Sequence, residues 1–236
     1  EEFIKRRIQD ERINKKLKFD MLMSKIHPHF LYNTLNSVIY LARRDHNQDI
    51  EKMVQSLILI LQDGMAAYSG KSCAMLKEEL EVVSAYCVIQ NYRYKDKVSV
   101  SIEVPDELTT AYVPKNILQP LVENSIYHGI KIKEGKQGSI SLSAARQGEL
   151  VKILIADTGT GMTQEQITEM NQHLSEYDEG FGYGVRNVNK RIELLYGKEY
   201  GLHYVKNESG GVTVEITLPY VTEVEPGILQ GDIINV

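Results

Sequence analysis

The chain is poor in cysteine, lacks tryptophan and contains no long apolar run. Two cysteines, Cys73 and Cys87, among 236 residues cannot build the disulfide framework of a small secreted domain, so reduced thiols and a cytosolic setting are expected. The longest apolar run, Leu57 to Leu61, is far too short to cross a bilayer, and the first residues lack a signal-peptide pattern. Because the chain begins with Glu1 rather than Met, we expect a fragment whose upstream part is missing. Contact with a membrane is expected only through that part.

Charge of one sign is not in excess either. The 27 basic and 32 acidic residues leave a net charge of −5, which offers no general attraction for nucleic acid or for an anionic membrane. We therefore predict no nucleic-acid partner. What the chain does have is 42% hydrophobic residues, which is enough for the cores of one large or two ordinary domains.

The period of the apolar pattern changes along the chain. Up to about residue 70, apolar residues recur every three or four positions, which predicts two helices in a hairpin. Two helices cannot enclose a core alone, so the hairpin is expected to pair with its copy as a four-helix bundle in a homodimer. A third helix is predicted over 76–94. Beyond it, apolar and polar residues alternate as they do in strands.

The second part of the chain mixes strands with helices. Strands are predicted over 98–104, 139–144, 150–156, 202–206 and 212–218, and helices over 115–128, 163–174 and 185–196. This mixture predicts an α+β fold, with the N-terminal helical hairpin followed by a two-layer α/β sandwich. The predicted boundaries are 1–70 for the helical region, 71–220 for the sandwich and 221–236 for a C-terminal tail.

The helical stretch Lys25 to Ser37 carries a proline directly before a histidine. Pro28 has no N–H for the carbonyl four residues earlier, so the helix is expected to bend or open there. His29 follows at this break and is placed to meet a group outside the helix. A surface or half-buried histidine is the simpler interpretation of an isolated helical imidazole. A metal site is disfavoured because His27 and His29 lie about 200° apart around a helix.

The stretch Leu118 to Gly129 places three polar side chains on one helix. Glu123 and Asn124 precede His128 by four to five residues, so an acid, an amide and an imidazole lie along neighbouring sides. Mg²⁺ takes hard oxygen ligands, often only one or two from protein, and the amide oxygen of Asn124 suits that role. Taken alone, the stretch fits a solvent-facing helix surface equally well.

Two glycine-rich stretches follow. Residues Asp157 to Met162 come directly after an apolar strand. A carboxylate at that point can accept a hydrogen bond from an amino group such as that of adenine, and glycines let the backbone approach a flat ring. Residues Gly180 to Asn187 lead into a helix whose N-terminal N–H groups suit a triphosphate. A tight turn is the simpler explanation of the first stretch, and the second matches neither the dinucleotide fingerprint nor a Walker-type loop.

In this order, the three stretches resemble the asparagine box and two glycine boxes of the ATP-binding fold shared by gyrase, Hsp90, histidine kinases and MutL. The histidine stretch resembles the phosphoacceptor motif of LytS-like two-component sensor histidine kinases. The resemblance covers roughly residues 20–220, and four motifs in series are much more specific than any one. It implies an ATP-dependent protein-histidine kinase with a GHKL-type ATP-binding domain, ATP and Mg²⁺ as ligands, and a response regulator as partner. It also implies that this portion is cytoplasmic and that the full-length protein resides in the bacterial cell membrane.

The resemblance further implies roles for positions of this sequence. His29 would be the phosphorylated histidine, and Asn124 would ligate Mg²⁺ with Glu123 and His128 beside the phosphates. Asp157 would bind the adenine amino group. The other implied nucleotide-binding residues are Gly159, Gly161, Gly182, Gly184, Arg186 and Asn187.

Two departures from the family pattern leave part of the chemistry open. Tyr127 stands where a basic residue is frequent, which removes one phosphate partner. Phe30 follows His29 where other histidine-kinase classes carry an acidic residue, so the motif identifies no general base, and Glu123 is one candidate. Two alternatives also stay open: a non-catalytic dimeric module that binds nucleotide or only a partner, and an ATPase or chaperone-like member of the same fold. The second alternative requires a longer lid than the short segment between the two glycine boxes.

Overall fold

The computed structural model describes residues 28–68, 72–95, 97–130, 136–174 and 183–223. The predictions made for the segment before Pro28, for Gly182 and for the tail beyond residue 223 lie outside these residues. The chain divides into two compact units, Glu1–Ile58 and Leu59–Val236. The domain boundaries near 70 and 220 stay predictions. None of the described helices is both long and apolar enough to cross a membrane.

Two helices joined by a short turn account for the described part of the first unit. Helix α1 spans Pro28–Arg44 and helix α2 spans Gln48–Tyr68, so the division between the units falls inside α2. The side chain of Asn47 caps α2 by accepting the N–H of Ile50 at 3.1 Å. Both predicted helices are confirmed. Their exposed large apolar side chains are those of Tyr40, Leu41, Ile50, Met53 and Leu57. Pairing with a second copy stays a prediction.

Strands build the centre of the second unit. Two short strands, β1 (Cys73–Met75) and β3 (Tyr112–Pro114), pair antiparallel. The larger sheet contains β2 (Val98–Glu103), β4 (Gly138–Gln147), β5 (Leu150–Asp157), β6 (Gly201–Lys206) and β7 (Val212–Pro219). Its strand order is β2-β4-β5-β7-β6, in which β2 runs parallel to β4 and the other neighbours are antiparallel. The five strands of this sheet were predicted; β1 and β3 are too short to show an alternating pattern and were missed.

Helices cover one face of the larger sheet. They are α3 (Leu76–Tyr94), α4 (Leu118–Asn124), α5 (Gln164–His173) and α6 (Tyr183–Tyr196), and a π-helical turn (Ser125–Gly129) continues α4. Side chains along β5 alternate between buried and partly exposed positions, as expected for a sheet with one face on the core. Leu118, Leu121 and Val122 of α4 are completely buried against that core. The predicted two-layer sandwich is confirmed.

The helix predicted over 115–128 differs from the structure at both ends. It begins only at Leu118, because Asn116 has a left-handed backbone with φ of 60° and interrupts regular helix geometry. Its last turn widens, and the N–H of Ile130 donates to the carbonyl of Ser125, five residues earlier, at 2.8 Å. Such π-helical turns alter which side chains share a face.

Candidate functional site

A cavity of about 580 Å³ opens in the second unit between the π-helical turn, the end of β5 and helices α5 and α6. Its wall consists of Asn124, Ser125, His128, Gly129, Asp157, Thr160, Gly161, Met162, Gln166, Met170, Val185, Tyr204, Val212 and Val214. A smaller cavity of about 280 Å³ is lined by Pro120, Glu123, Asn124, Tyr127, His128, Gly184 and Val185. Since Asn124, His128 and Val185 line both cavities, the two form neighbouring compartments.

Asp157 brings a carboxylate into the wall of the larger cavity. It is the last residue of β5 and is only 4% exposed. Its Oδ1 accepts the N–H of Gly159 at 2.8 Å and, less closely, that of Val212 at 3.5 Å. Burial raises the pKa of this carboxyl group, and the hydrogen bonds from the two N–H groups and from the Ser125 hydroxyl oppose that rise. The site therefore holds a strong acceptor in surroundings with little water.

The glycines of this region let backbone segments pack directly on one another. A Cβ on Gly159 would lie 2.1 Å from the carbonyl carbon and oxygen of Gly129, and one on Gly161 would lie 2.0 Å from the carbonyl oxygen of Gly210. Gly161 also has a left-handed φ of 69°. The sequence predicted that Gly159 and Gly161 admit a flat ring. In the structure, the space that their missing side chains leave is taken by protein backbone, and this packing forms the wall beside Asp157.

The predicted acid, amide and imidazole meet at the smaller cavity. Asn124 ends α4, and His128 lies in the π-helical turn that follows. Both residues border both cavities, whereas Glu123 and Tyr127 border only the smaller one. The Tyr127 hydroxyl donates to Oε1 of Gln90 at 3.3 Å. The Tyr127 side chain is thus hydrogen-bonded to α3.

The second glycine box is described only in part. Gly184 borders the smaller cavity and Val185 borders both, at the first turn of α6. Gly182 lies outside the described residues. Arg186 is half-buried and Asn187 is exposed, and neither borders the two cavities. His29 is the second residue of α1, and its side chain lies outside the described part of the chain.

Glu79 fixes the start of the helix that carries Asn124, and it was not identified as a site residue from the sequence. Its carboxylate, 2% exposed, accepts three backbone N–H groups, from Asn116 at 2.5 Å, Ile117 at 2.9 Å and Leu118 at 3.1 Å. It therefore caps the start of α4, the helix that carries Asn124. Burial raises the pKa of the Glu79 carboxyl, and the three N–H groups oppose the rise. In the sequence, Glu79 looked like one more acidic residue in the first turn of α3.

Two basic side chains complete this support. Arg191 of α6 donates through Nη1 to the carbonyls of Lys115 at 2.5 Å and Asn116 at 2.8 Å. The ammonium of Lys115 pairs with Asp63 at 2.7 Å, and both side chains are largely buried. The left-handed turn before α4 is thus held from three directions. No sequence signal joins residues so far apart along the chain.

The residues at the two cavities fit a magnesium ion that takes only one or two of its oxygen ligands from the protein. Within the described ranges, no group of three or more His, Cys, Asp and Glu side chains is placed to hold a metal ion. Asn124 offers one amide oxygen where the two cavities meet, and Glu123 offers a carboxylate beside it. Mg²⁺ commonly takes one or two protein oxygens and completes its shell with phosphates and water.

Two family models match the chain in succession. The model described as histidine kinase matches residues 17–98, and the model described as histidine kinase-, DNA gyrase B-, and HSP90-like ATPase matches residues 113–222. The chain belongs to the histidine kinase family. Both cavities lie within the segment matched by the ATPase model.

Curated sensor kinases resemble the chain over most of its length. Sensor histidine kinase YesM of Bacillus subtilis is 30% identical over 94% of the chain and 37% of its own length. Sensor protein LytS of Oceanobacillus iheyensis is 32% identical over 89% of the chain and 36% of its own length. Sensor histidine kinase YpdA of Escherichia coli is 33% identical over 80% of the chain and 32% of its own length. The chain thus spans about a third of the length of these relatives.

Among solved structures, the catalytic domain of histidine kinase ThkA is similar with a TM-score of 0.49 and 20% identity. The similarity covers 65% of this chain and 99% of that one.

Proposed function

We propose that this chain is the cytoplasmic portion of a sensor histidine kinase that binds ATP, phosphorylates His29 and passes the phosphoryl group to an aspartate of a response regulator. The observation that carries the proposal is the buried carboxylate of Asp157 in the wall of a cavity large enough for a nucleobase. The family membership of the chain supports the same reading. The full-length protein is proposed to be a homodimer in the cell membrane, attached through a region upstream of this chain.

The larger cavity suits the base. Asp157 accepts a hydrogen bond from the amino group of adenine, while Met162, Met170 and Val214 supply apolar walls for the faces of the ring. Guanine presents a carbonyl oxygen in place of that amino group, and two acceptors repel each other. We therefore expect adenine nucleotides to be preferred over guanine nucleotides.

The smaller cavity suits the phosphates. Glu123, Asn124 and His128 surround it from one side, and Gly184 brings the first turn of α6 to the other. The unpaired N–H groups of a helix start attract phosphate oxygens. Gly159, Gly161, Gly182, Arg186 and Asn187 are proposed to complete the nucleotide site, as their motif positions imply. Asn124 would hold Mg²⁺ together with the phosphates, and the ion would supply neutralisation of the negative charge on the transferred group.

The proposed reaction is an in-line phosphoryl transfer. A neutral ring nitrogen of His29 forms a bond to the γ-phosphorus, the bond from that phosphorus to the bridging oxygen of ADP breaks, and ADP leaves with the electron pair. The proton of the other ring nitrogen then passes to a base, for which Glu123 is the candidate. Most of the catalysis comes from positioning and from oriented N–H donors rather than from covalent steps.

The decisive experiment is incubation with γ-³²P-ATP and Mg²⁺, followed by tests of acid and alkali stability of the label. Wild type is compared with His29→Gln and with His27→Gln, which removes an imidazole from the same stretch. We expect label that is acid-labile and alkali-stable in wild type and His27→Gln, and no label in His29→Gln. Measurable ATP binding without label in wild type would instead favour the non-catalytic module. Steady release of phosphate without label would favour an ATPase.

A further inference from the structure

Asp63 and Lys115 form a largely buried ion pair that joins two elements of the second unit. Oδ1 of Asp63, in the last turns of α2, lies 2.7 Å from Nζ of Lys115, the residue that follows β3. Only 16% of the Asp63 side chain and 9% of the Lys115 side chain are exposed. Burying two charges carries a desolvation cost that their attraction seldom exceeds by much. Stability alone is therefore a poor explanation of this pair, and its position before helix α4 indicates another one.

The pair belongs to a balanced set of four charges around the turn before α4. Glu79 of α3 accepts three backbone N–H groups at this point, and Arg191 of α6 donates to two backbone carbonyls of the turn. Burial is the main cause of the raised pKa of the Glu79 carboxyl, and the Asp63 carboxylate adds to that rise. Burial lowers the pKa of Arg191, and the Glu79 carboxylate opposes this change. Two carboxylates and two cations thus lie around one turn, and removal of any one leaves an uncompensated charge.

Helix α4 connects this turn directly to Asn124. The helix spans only Leu118–Asn124, which makes it about 10 Å long. Apolar side chains bury one side of it, but apolar packing has no preferred direction. The ion pair and the hydrogen bonds at the start of α4 are directional, so they fix its rotation and its position along its axis. Asn124 ends the same helix and lines both cavities, so a shift at the start of α4 also moves the amide of Asn124.

We propose that Asp63 and Lys115 are positioning residues, whose ion pair fixes α4 so that Asn124 presents its amide oxygen to Mg²⁺ at the phosphates of ATP. The inference rests on the proposed ATP binding and deepens it, because it makes the affinity for the metal complex depend on α2. Neither Asp63 nor Lys115 borders the two cavities, so both act through α4. Loss of the pair should weaken the binding that needs the metal and leave the binding of the base beside Asp157 unchanged.

The test measures how strongly the purified chain binds ATP with Mg²⁺ and, separately, with EDTA. Affinity is obtained from the rise of the melting temperature with ATP concentration, which reports weak binding as well. Asp63→Asn removes one charge of the pair and keeps the size of the side chain. We expect about tenfold weaker binding of ATP with Mg²⁺ and a change of less than about twofold with EDTA. The matched control is Glu81→Gln, in the exposed ion pair with Lys77, which should change neither affinity.

A second variant separates the position of α4 from the stability of the protein. Asp63→Asn leaves the buried Lys115 ammonium without its partner, so the melting temperature without nucleotide should also fall. Asp63→Leu combined with Lys115→Met replaces the pair by apolar side chains, which should restore the melting temperature. The affinity of this double variant for ATP with Mg²⁺ should stay low, because apolar contacts have no preferred direction.

Three results would overturn the inference. They are binding of ATP with Mg²⁺ by Asp63→Asn within about twofold of wild type, an equal loss of its affinity with Mg²⁺ and with EDTA, and wild-type affinity in the apolar double variant. A wild-type chain whose melting temperature does not rise with ATP would refute the proposed function itself, and the inference with it. A rise in wild type that all variants share would refute the inference alone.

Discussion

Replacing Gly159 by alanine tests the close backbone packing that shapes the cavity. The added Cβ would lie 2.1 Å from the carbonyl carbon and oxygen of Gly129, whereas ordinary contacts are about 3.4 Å or longer. The two segments must therefore separate by more than about 1 Å. That movement breaks the hydrogen bond from the Thr160 N–H to the Gly129 carbonyl, which is 2.8 Å long.

The cost follows from these two effects. Overpacking costs about 1–3 kcal/mol and the lost hydrogen bond about 1 kcal/mol, so we expect the free energy of unfolding to fall by about 3 kcal/mol. For a domain of this size, the melting temperature should drop by roughly 10 °C. Affinity for ATP should fall as well, because the moved segments carry Asp157 and His128 in the cavity wall.

The assay is urea unfolding of the purified chain, with Gly64→Ala as the matched control. Gly64 lies inside α2, and a Cβ there would meet nothing within 4 Å. The same chemical change should therefore stabilise the protein at that position, by about 0.5–1 kcal/mol. Unfolding of Gly159→Ala within about 0.5 kcal/mol of wild type, together with unchanged ATP affinity, would refute the packing argument.

Two further predictions concern buried carboxylates. Glu79→Ala leaves three N–H groups at the start of α4 without an acceptor, so the free energy of unfolding should fall by about 3 kcal/mol. The control is Glu81→Ala, on the exposed side of α3, which should change the free energy of unfolding by at most about 0.5 kcal/mol. Equal urea midpoints for the two variants would contradict the capping role of Glu79. Asp157→Asn should abolish measurable ATP binding while folding at least as stably as wild type at neutral pH. Because the folded pKa of Asp157 is raised, its contribution to stability is present below the unfolded pKa and is lost as pH rises through the folded value. The stability of Asp157→Asn relative to wild type should therefore increase between about pH 4 and pH 7, and a constant difference across that range would exclude a raised pKa.

Local patterns predicted most of the secondary structure and the position of Asp157 at the end of a strand. Apolar spacing predicted the helices that became α1 and α2, because each buries one face and the period is visible within a few turns. Alternation predicted the strands of the larger sheet for the same reason. A carboxylate directly after an apolar strand was predicted as a candidate site residue, and in the structure it ends β5 and lines the larger cavity.

The features that only the tertiary structure decided join residues far apart along the chain. Glu79 and Leu118 are 39 positions apart, and Arg191 and Lys115 are 76 apart, yet their hydrogen bonds determine where α4 begins. A positive φ at Asn116 leaves no mark in the apolar period, so the predicted helix began too early.

The two kinds of outcome have one physical cause. The spacing of apolar residues shows which face of a helix or strand is buried, and each short stretch of sequence contains that information by itself. Contacts such as that between Gly159 and Gly129 exist only after separate elements have packed. The sequence by itself therefore determined most of the helices and strands and the order of the motifs along the chain. The packing of those elements decided which motif residues share a cavity.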